Sequence, residues 1–429
     1  MNAAERRLIT YTAAAHALVH ITELTYPALL TRIADDFGVR AVILGTIASV
    51  FSWAFGGSAI PAGFLTDRLG SRRVLFYAFA GATVSLVLVG LSPNEWVLAA
   101  TLALLGFCIG LYHPAGLSLM AQGVRQRGLA LGFHGVSGNV GQALAPALAV
   151  GLAIAVDDWR LAFFVLAGVS AVMAALLSIT TLPLRGEAEV VSTADEAPGK
   201  LAGVLGNPAA GRGVTAEFVT PDSAGDAQPA SARSFLLPLL LVYAAFVLSG
   251  VVYRGAITFL PTHLEDFVDK DLGAAFVTVA LLMGAVGQII GGTLSQRVRL
   301  ERLAPVLAAL AVPALVLTGA VSGALLVVVA SVFIFFYFMN QPVFTGLIAD
   351  YAPAGAVGRS YGFSFFAGFG LGGTGGVIAG VFVDRWDTAA AFLGLSAFMG
   401  VTLLLSVAIW LMSEQRSRSI EPEMVGGGG

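Results

Sequence analysis

The sequence predicts an all-α membrane protein, with twelve transmembrane helices arranged as two six-helix bundles. Three observations predict it. Charged residues are 11% of the chain and hydrophobic residues 57%, where an average soluble domain carries about 25% charge. The apolar residues come in blocks of roughly 20 or more, the length a helix needs to cross a bilayer core. Lipid offers backbone groups no water partner, so such blocks must satisfy their own hydrogen bonds as helices. The blocks fall six and six on either side of one long polar stretch.

The expected spans cover about 8–33, 41–66, 73–92, 96–122, 128–155, 160–182, 235–262, 272–296, 303–322, 324–350, 359–383 and 387–412. Span 1 follows Arg6 and Arg7, but it is too long for a cleavable leader and holds His16, His20 and Glu23, so it reads as a permanent first span. Span 4 contains the single cysteine, Cys108, which can form neither an internal disulfide nor a thiolate metal site. After span 6, residues 186–233 are rich in Gly, Ala, Pro, Ser, Asp and Glu and too poor in large apolar residues to bury a core. They read as a flexible cytoplasmic linker. The expected organisation is therefore an N-terminal bundle at 1–185, the linker at 186–233, a C-terminal bundle at 234–415 and a cytoplasmic tail at 416–429.

Charge sets the expected orientation. With both termini in the cytoplasm, Arg32, Arg40, Arg160, Lys270 and Arg385 fall outside and Arg254 lies within a span, leaving the other seventeen of the 23 basic residues inside. That asymmetry is the positive-inside pattern, and an odd number of spans would spoil it. The expected location is the cell membrane, crossed many times.

The halves resemble each other. Gly63-Phe64-Leu65-Thr66-Asp67-Arg68 after span 2 matches Gly292-Thr293-Leu294-Ser295-Gln296-Arg297 after span 8. Pro27, Pro114, Gly132 and Gly138 match Pro261, Pro342, Gly362 and Gly368 in the same order. An ordered set of this kind marks a parallel internal repeat.

The run Gly63-Phe-Leu-Thr-Asp67-Arg68-Leu-Gly70-Ser-Arg72-Arg73 resembles the signature loop between spans 2 and 3 of the major facilitator superfamily. The resemblance extends over essentially all twelve spans. It implies two six-helix bundles with a substrate cavity between them, worked by alternating access, and no enzyme chemistry. It also implies a conformational latch formed by Gly63, Asp67, Arg68, Gly70 and Arg72. In that latch Gly63 permits close helix approach, Asp67 accepts hydrogen bonds from a helix N-terminus across the interface of the halves, and the arginines rest on the anionic leaflet. The second copy has Gln296 in place of Asp67 and lacks that charge.

Two narrower resemblances bear on the substrate. His16, His20, Pro27 and Tyr112-His113-Pro114 resemble spans 1 and 4 of the fosmidomycin-resistance exporters, with His20 standing where that branch has Asp. Gly132, Gly141, Ala145-Pro146 and Ala149 resemble the antiporter motif of drug exporters, although small residues at this spacing also simply allow close packing.

Ionisable groups within spans are rare and default to functional hypotheses. His16, His20 and Glu23 lie four and three residues apart, on one helix face, and are the expected proton-coupling residues. Arg254, His113, Asn139, Asn340, Gln341 and Gln288 are the expected substrate-binding ring. Structural alternatives stand beside these readings. Glu23 and Arg254 could form an ion pair tying the halves, His113 could satisfy a carbonyl freed by Pro114, and the aromatic run Phe333–Phe338 could pack or face lipid. His16, His20, Glu23 and His113 also suit a transition metal by residue type. The reading adopted is protonic, with no metal and no cofactor. The expected function is proton-coupled export of a small organic solute by a monomer in the lipid bilayer, with no nucleic-acid partner. The rivals are proton-linked uptake of a small organic anion, and a non-transporting receptor or channel on the same fold.

Overall fold

The structure is a computed structural model describing residues 3–124, 127–180, 233–268, 270–353 and 356–425. The expected linker at 186–233 lies, except for Arg233, outside the described residues. Every regular element among those residues is helical. Eleven of the helices are long and apolar enough to cross a membrane. The twelfth is span 1, Ala3–Ala28 continued by Leu30–Phe37, whose histidines, glutamate and threonines dilute its hydropathy.

The remaining spans follow the expected order, and several are interrupted where the sequence demands it. Span 2 is Ala41–Gly57 with Ala59–Leu69, span 3 Ser71–Gly90, and span 4 Glu95–Gly110 with Tyr112–Gly123. The break at Leu111 has a direct cause. Pro114 has no N–H to donate and its ring clashes with the carbonyl four residues back, at Gly110. Spans 5 and 6 are Arg127–Val156 and Arg160–Ile179; spans 7 to 10 are Arg233–Glu265, Lys270–Leu294, Leu300–Ala320 and Ala324–Tyr351. Span 11 changes pitch midway. Val357–Phe365 gives way to a π-turn, Phe366–Gly370, then a 3₁₀ turn, Leu371–Thr374, before Gly375–Arg385. Span 12 begins at Thr388 and stays helical to Val425, beyond its expected end near 412.

In the N-terminal half spans 1 and 5, 2 and 4, and 3 and 6 pack together; in the C-terminal half spans 8 and 10, 7 and 12, and 9 and 12 do so. The halves meet where span 2 crosses span 11, span 5 crosses span 8, and span 1 touches span 7. Advancing each span by six positions exchanges the first two contacts and returns the third, so the interface has the two-fold character that the repeat implies.

Spans 2 and 11 approach backbone to backbone. A Cβ on Gly45 would overlap the carbonyl of Gly376, and one on Gly56 would overlap the backbone of Gly370. These, and not Gly63, are the glycines that close approach requires. A Cβ on Gly63 would meet nothing within 4 Å. Gly70 is needed for a different reason, its φ of +82°.

The end of the bundle where span 2 begins is held shut. The Asp384 carboxylate, at the end of span 11, accepts from the backbone N–H groups of Ala41 (2.9 Å) and Val42 (3.1 Å). It thus caps the first turn of span 2 across the interface of the halves. Losing such a cap costs about 0.5–2 kcal/mol. Asp384→Ala is therefore expected to shift the population toward the state open at this end by roughly two- to thirtyfold. Spin labels placed at Arg40 and Asp387 would report the longer distance; an unchanged distance distribution would mean that the cap does not hold this end.

The opposite end is organised differently. Asp67 and Arg68 are exposed, and neither makes a hydrogen bond or ion pair among the described residues. Arg72 is spent within its own half, donating through Nε to the carbonyl of Leu177 and through Nη2 to that of Ser178, both at 2.7 Å. It caps the C-terminus of span 6.

Candidate functional site

Among the described residues the two halves share one buried ion pair. Glu23 on span 1 accepts through Oε1 from Arg254 Nη2 on span 7, and the residues are 2% and 5% exposed. Their burial makes the pairing obligatory, since either charge alone would be strongly destabilised. Aromatic rings complete the guanidinium's surroundings, with its Cζ 5.1 Å from the Phe369 ring centroid and 5.9 Å from that of Phe55.

A chain of histidines runs from this pair along span 1, as the spacing of four and three requires. Glu23 Oε2 lies 2.5 Å from His20 Nδ1. His20 Nε2 lies 3.1 Å from His16 Nε2, and His16 Nδ1 lies 2.7 Å from the backbone carbonyl of His134 on span 5. The His134 ring stacks on His16 with centroids 3.8 Å apart. His113 on span 4 stands beside both span 1 histidines, at 5.3 and 5.5 Å between centroids. Gln142 Nε2 on span 5 is 3.3 Å from His20 Nδ1.

On the far side of Arg254 lies a cavity of about 40 Å³, room for a few waters, lined by Gln142, Phe246, Ser249, Gly250, Tyr253, Arg254, Tyr337, Phe338, Gln341, Phe344, Gly368 and Phe369. Two of its lining residues bring buried donors that have no acceptor among the described residues, the Nε–H of Arg254 and the hydroxyl of Tyr253. The π-turn of span 11 provides Gly368 and Phe369 to this wall, in keeping with the tendency of such turns to sit at functional sites.

The sequence profile of the Major Facilitator Superfamily matches residues 12–376. The chain belongs to that superfamily. It is accordingly a multi-pass membrane transporter and not an enzyme. Among its relatives, the probable sulfoacetate transporter SauU of Cupriavidus necator is 25% identical over 91% of this chain and 90% of its own length. The gallate transporter of Pseudomonas putida is 25% identical over 87% and 85% respectively. A probable sugar efflux transporter of Helicobacter pylori is 26% identical over only 37% of this chain and 41% of its own. Of solved structures, the peptide transporter POT in complex with sulfate superposes with a TM-score of 0.71 at 15% identity, covering 96% of this chain and 95% of that one. That likeness speaks for the fold alone.

Within this major facilitator protein the expected residues divide into two groups. His16, His20, Glu23, His113 and Arg254 come together in one contiguous cluster, and Gln341 reaches the cavity wall. The other three ring members do not reach that wall. Asn139 donates to Gln288 Oε1 at 2.5 Å, joining spans 5 and 8 across the halves. Asn340 is 3% exposed, and both of its side-chain polar atoms are without a partner among the described residues. Arg254 faces Glu23, one turn beyond the His20 that alignment of the prolines puts opposite it.

Gln142, Ser249, Tyr253 and Tyr337 belong to the site and were not signalled as site residues. Tyr253 had the simplest available signal, since it precedes the arginine placed deep within a span. Tyr337 sits in the aromatic run expected to pack or face lipid. Phe333 and Phe338 of that run are indeed packed inside, while Tyr337 and Phe338 line the cavity.

A metal fits the cluster poorly. His16, His20 and His113 each bring a ring nitrogen within 4.8 Å of the others, a donor set that would suit zinc or another borderline cation. The facing nitrogens of His16 and His20 are already at hydrogen-bond distance, however, and Glu23, the carboxylate of that reading, is engaged by Arg254 and His20.

Proposed function

We propose that this transporter moves a small organic anion together with a proton by alternating access between its two halves, with Arg254 seating the anion and Glu23 and His20 carrying the proton. The supporting observation is the pair of donors without an acceptor among the described residues, Arg254 Nε–H and Tyr253 O–H, on residues lining a cavity beside the Arg254–Glu23 pair. An arriving carboxylate or sulfonate would offer those donors an acceptor and compete with Glu23 for the guanidinium. Glu23, released from Arg254, would be left ionised in a buried site unless it took a proton.

Charge then enforces coupling. The empty site holds Arg254⁺ against Glu23⁻ and is neutral. The site with both ligands holds Arg254⁺ against the anion, with Glu23 protonated, and is also neutral. With only one ligand the site carries a net charge, which disfavours passage through a closed, low-dielectric intermediate. The result is co-transport of one proton with one monovalent anion, while a dianion such as sulfoacetate needs a second proton for neutrality, so an inward proton gradient drives uptake. This is the second of the readings drawn from the sequence. Two relatives that align over most of their length are named for the organic anions sulfoacetate and gallate.

Export remains a second reading. It is favoured by the partial match to a sugar efflux transporter. In that reading solute and proton occupy the site in turn. Proteoliposomes offered sulfoacetate, gallate and benzoate under an imposed pH gradient distinguish these outcomes. Accumulation on the alkaline side supports co-transport, accumulation on the acidic side supports exchange, and the absence of gradient-driven flux for every solute returns the receptor or channel reading.

The orientation proposed is both termini cytoplasmic in the cell membrane, supported by the seventeen basic residues on that side. In a Cys108→Ala background, single cysteines at Ser192 and Asp269 are expected to label from opposite sides. An impermeant reagent that reaches both from outside would overturn that topology.

A further inference from the structure

Resting on the proton–anion reading above, we infer that the carrier waiting for its anion keeps its proton on the His16–His20 pair and not on Glu23, so that the proton loads first. The hydrogen-bond chain, with Glu23 held as a carboxylate by Arg254, favours it. The His134 carbonyl only accepts, so His16 Nδ1, 2.7 Å away, carries a hydrogen. Glu23 bonded to Arg254 is a carboxylate, and its second oxygen also accepts, so His20 Nδ1, 2.5 Å away, carries a hydrogen as well. Two neutral imidazoles protonated at Nδ1 present bare lone pairs at Nε2. Yet His16 Nε2 and His20 Nε2 face each other at 3.1 Å. Two lone pairs repel at that distance, and a single added proton between them turns the contact into an N–H···N hydrogen bond.

Gln142 is compatible with this placement. Its Nε2 is drawn 3.3 Å from His20 Nδ1 while its Oε1 is buried without a donor. If His20 Nδ1 carries a hydrogen, the amide belongs the other way round, with Oε1 accepting from His20. Amide oxygen and nitrogen are interchangeable in this manner, and the exchange gives the oxygen a donor while moving the amide nitrogen to the position the oxygen held.

The other groups around the pair take no part in holding the proton. Tyr112 on span 4 donates its hydroxyl to the Thr12 carbonyl at 2.6 Å. His113 and His134 contact the histidines through their rings, and Arg254 is bonded to Glu23.

The transfer to Glu23 then needs no side-chain movement. When an anion takes over Arg254, the N–H bond at His20 Nδ1 breaks and an O–H bond forms at Glu23 Oε2. The shared proton settles on His20 Nε2 and still bonds to His16. Both rings end neutral, and Glu23 ends as a carboxylic acid. The cluster thus has a proton ready for Glu23 before the anion arrives.

The test uses the purified, anion-free protein in nanodiscs, with ¹⁵N-labelled histidine. Nuclear magnetic resonance and infrared difference spectra are recorded through neutral pH. The expected result is a titrating imidazole pair with hydrogen on both Nδ1 atoms and a shared Nε2 proton. No protonated carboxyl band sensitive to Glu23→Gln should appear. In His16→Gln the imidazolium step should be lost or moved to lower pH. A Glu23 carboxyl band in the anion-free wild type would overturn the inference. So would a histidine step unmoved by His16→Gln, or a stoichiometric transition metal in the purified protein that disappears with that substitution. If any of these occurs while a pH gradient still drives anion flux, only the placement of the proton fails. If the gradient drives no flux, the proton–anion reading beneath it fails.

Discussion

Arg254→Ala is expected to abolish binding of anionic substrates. Arg254 is a buried basic side chain deep within a span, and its guanidinium keeps its charge at every physiological pH. In the empty carrier that charge is met by Glu23; in the loaded carrier an anion must meet it. Removing it takes away the charged fork and leaves Glu23 buried without a counter-charge. Breaking a buried pair from one side destabilises by about 3–5 kcal/mol, so loss of binding in the single variant could be confused with poor folding. Arg254→Ala/Glu23→Gln removes both charges and restores neutrality. It is expected to recover thermal stability while still failing to bind sulfoacetate, gallate or benzoate. Arg254→Lys keeps the charge without the planar fork and is expected to weaken binding by roughly 1.5–3 kcal/mol, about ten- to a hundredfold in Kd. Calorimetry on the three variants, with melting temperatures alongside, reads both effects. Normal anion binding by a stable double variant would leave Arg254 as a structural tie between the halves and remove the anion reading.

The fold was legible in the sequence because the bilayer leaves the backbone so few options. Blocks of apolar length must be helices, and the repeated glycines and prolines give their pairing. Even span 1, the least apolar, was legible from its place in the count and from the charge asymmetry it completes. The centre of the site was legible as well, since His16, His20, Glu23 and Arg254 are too expensive in lipid to be incidental. The rest was hidden for identifiable reasons. A lone polar residue in a span does not reveal which way it faces without knowledge of the neighbouring helices, so Asn139 and Asn340 looked as eligible as Gln341. Tyrosine and glutamine are common packing residues, so Gln142, Tyr253 and Tyr337 carried no signal of their own. His134 lies near the end of its span in sequence, yet Gly138, one turn on, leaves the space that His16 and His20 fill. The same limit applies to the signature loop. Its motif identifies the superfamily, while the close contacts between spans 2 and 11 are made by Gly45 and Gly56, which belong to no motif noted in the sequence.

Glu23→Gln is expected to uncouple the carrier while leaving it able to exchange substrate. Glutamine matches glutamate in shape and can still accept from Arg254 through its amide oxygen, so the contact between spans 1 and 7 should persist. The amide neither takes nor gives a proton at neutral pH. In the wild type, anion binding above the pH at which the empty site holds its proton must be accompanied by uptake of that proton. Affinity should then fall as pH rises, approaching about tenfold per pH unit, because the bound state holds one more proton than the free state. In Glu23→Gln the free and bound states hold equal numbers, and the pH dependence should flatten. Arg254 also loses its competing carboxylate, so the anion should bind more tightly and leave more slowly. The expected pattern is loss of accumulation against a gradient, retained but slower counterflow, and a Kd lower than that of the wild type and nearly independent of pH. Two measurements suffice: anion binding at several pH values, and counterflow set beside pH-driven uptake in the same proteoliposomes. Glu23→Gln proteoliposomes that still concentrate the anion in response to a pH gradient would show that the proton travels on another group, and the buried pair would then be a tie between the halves.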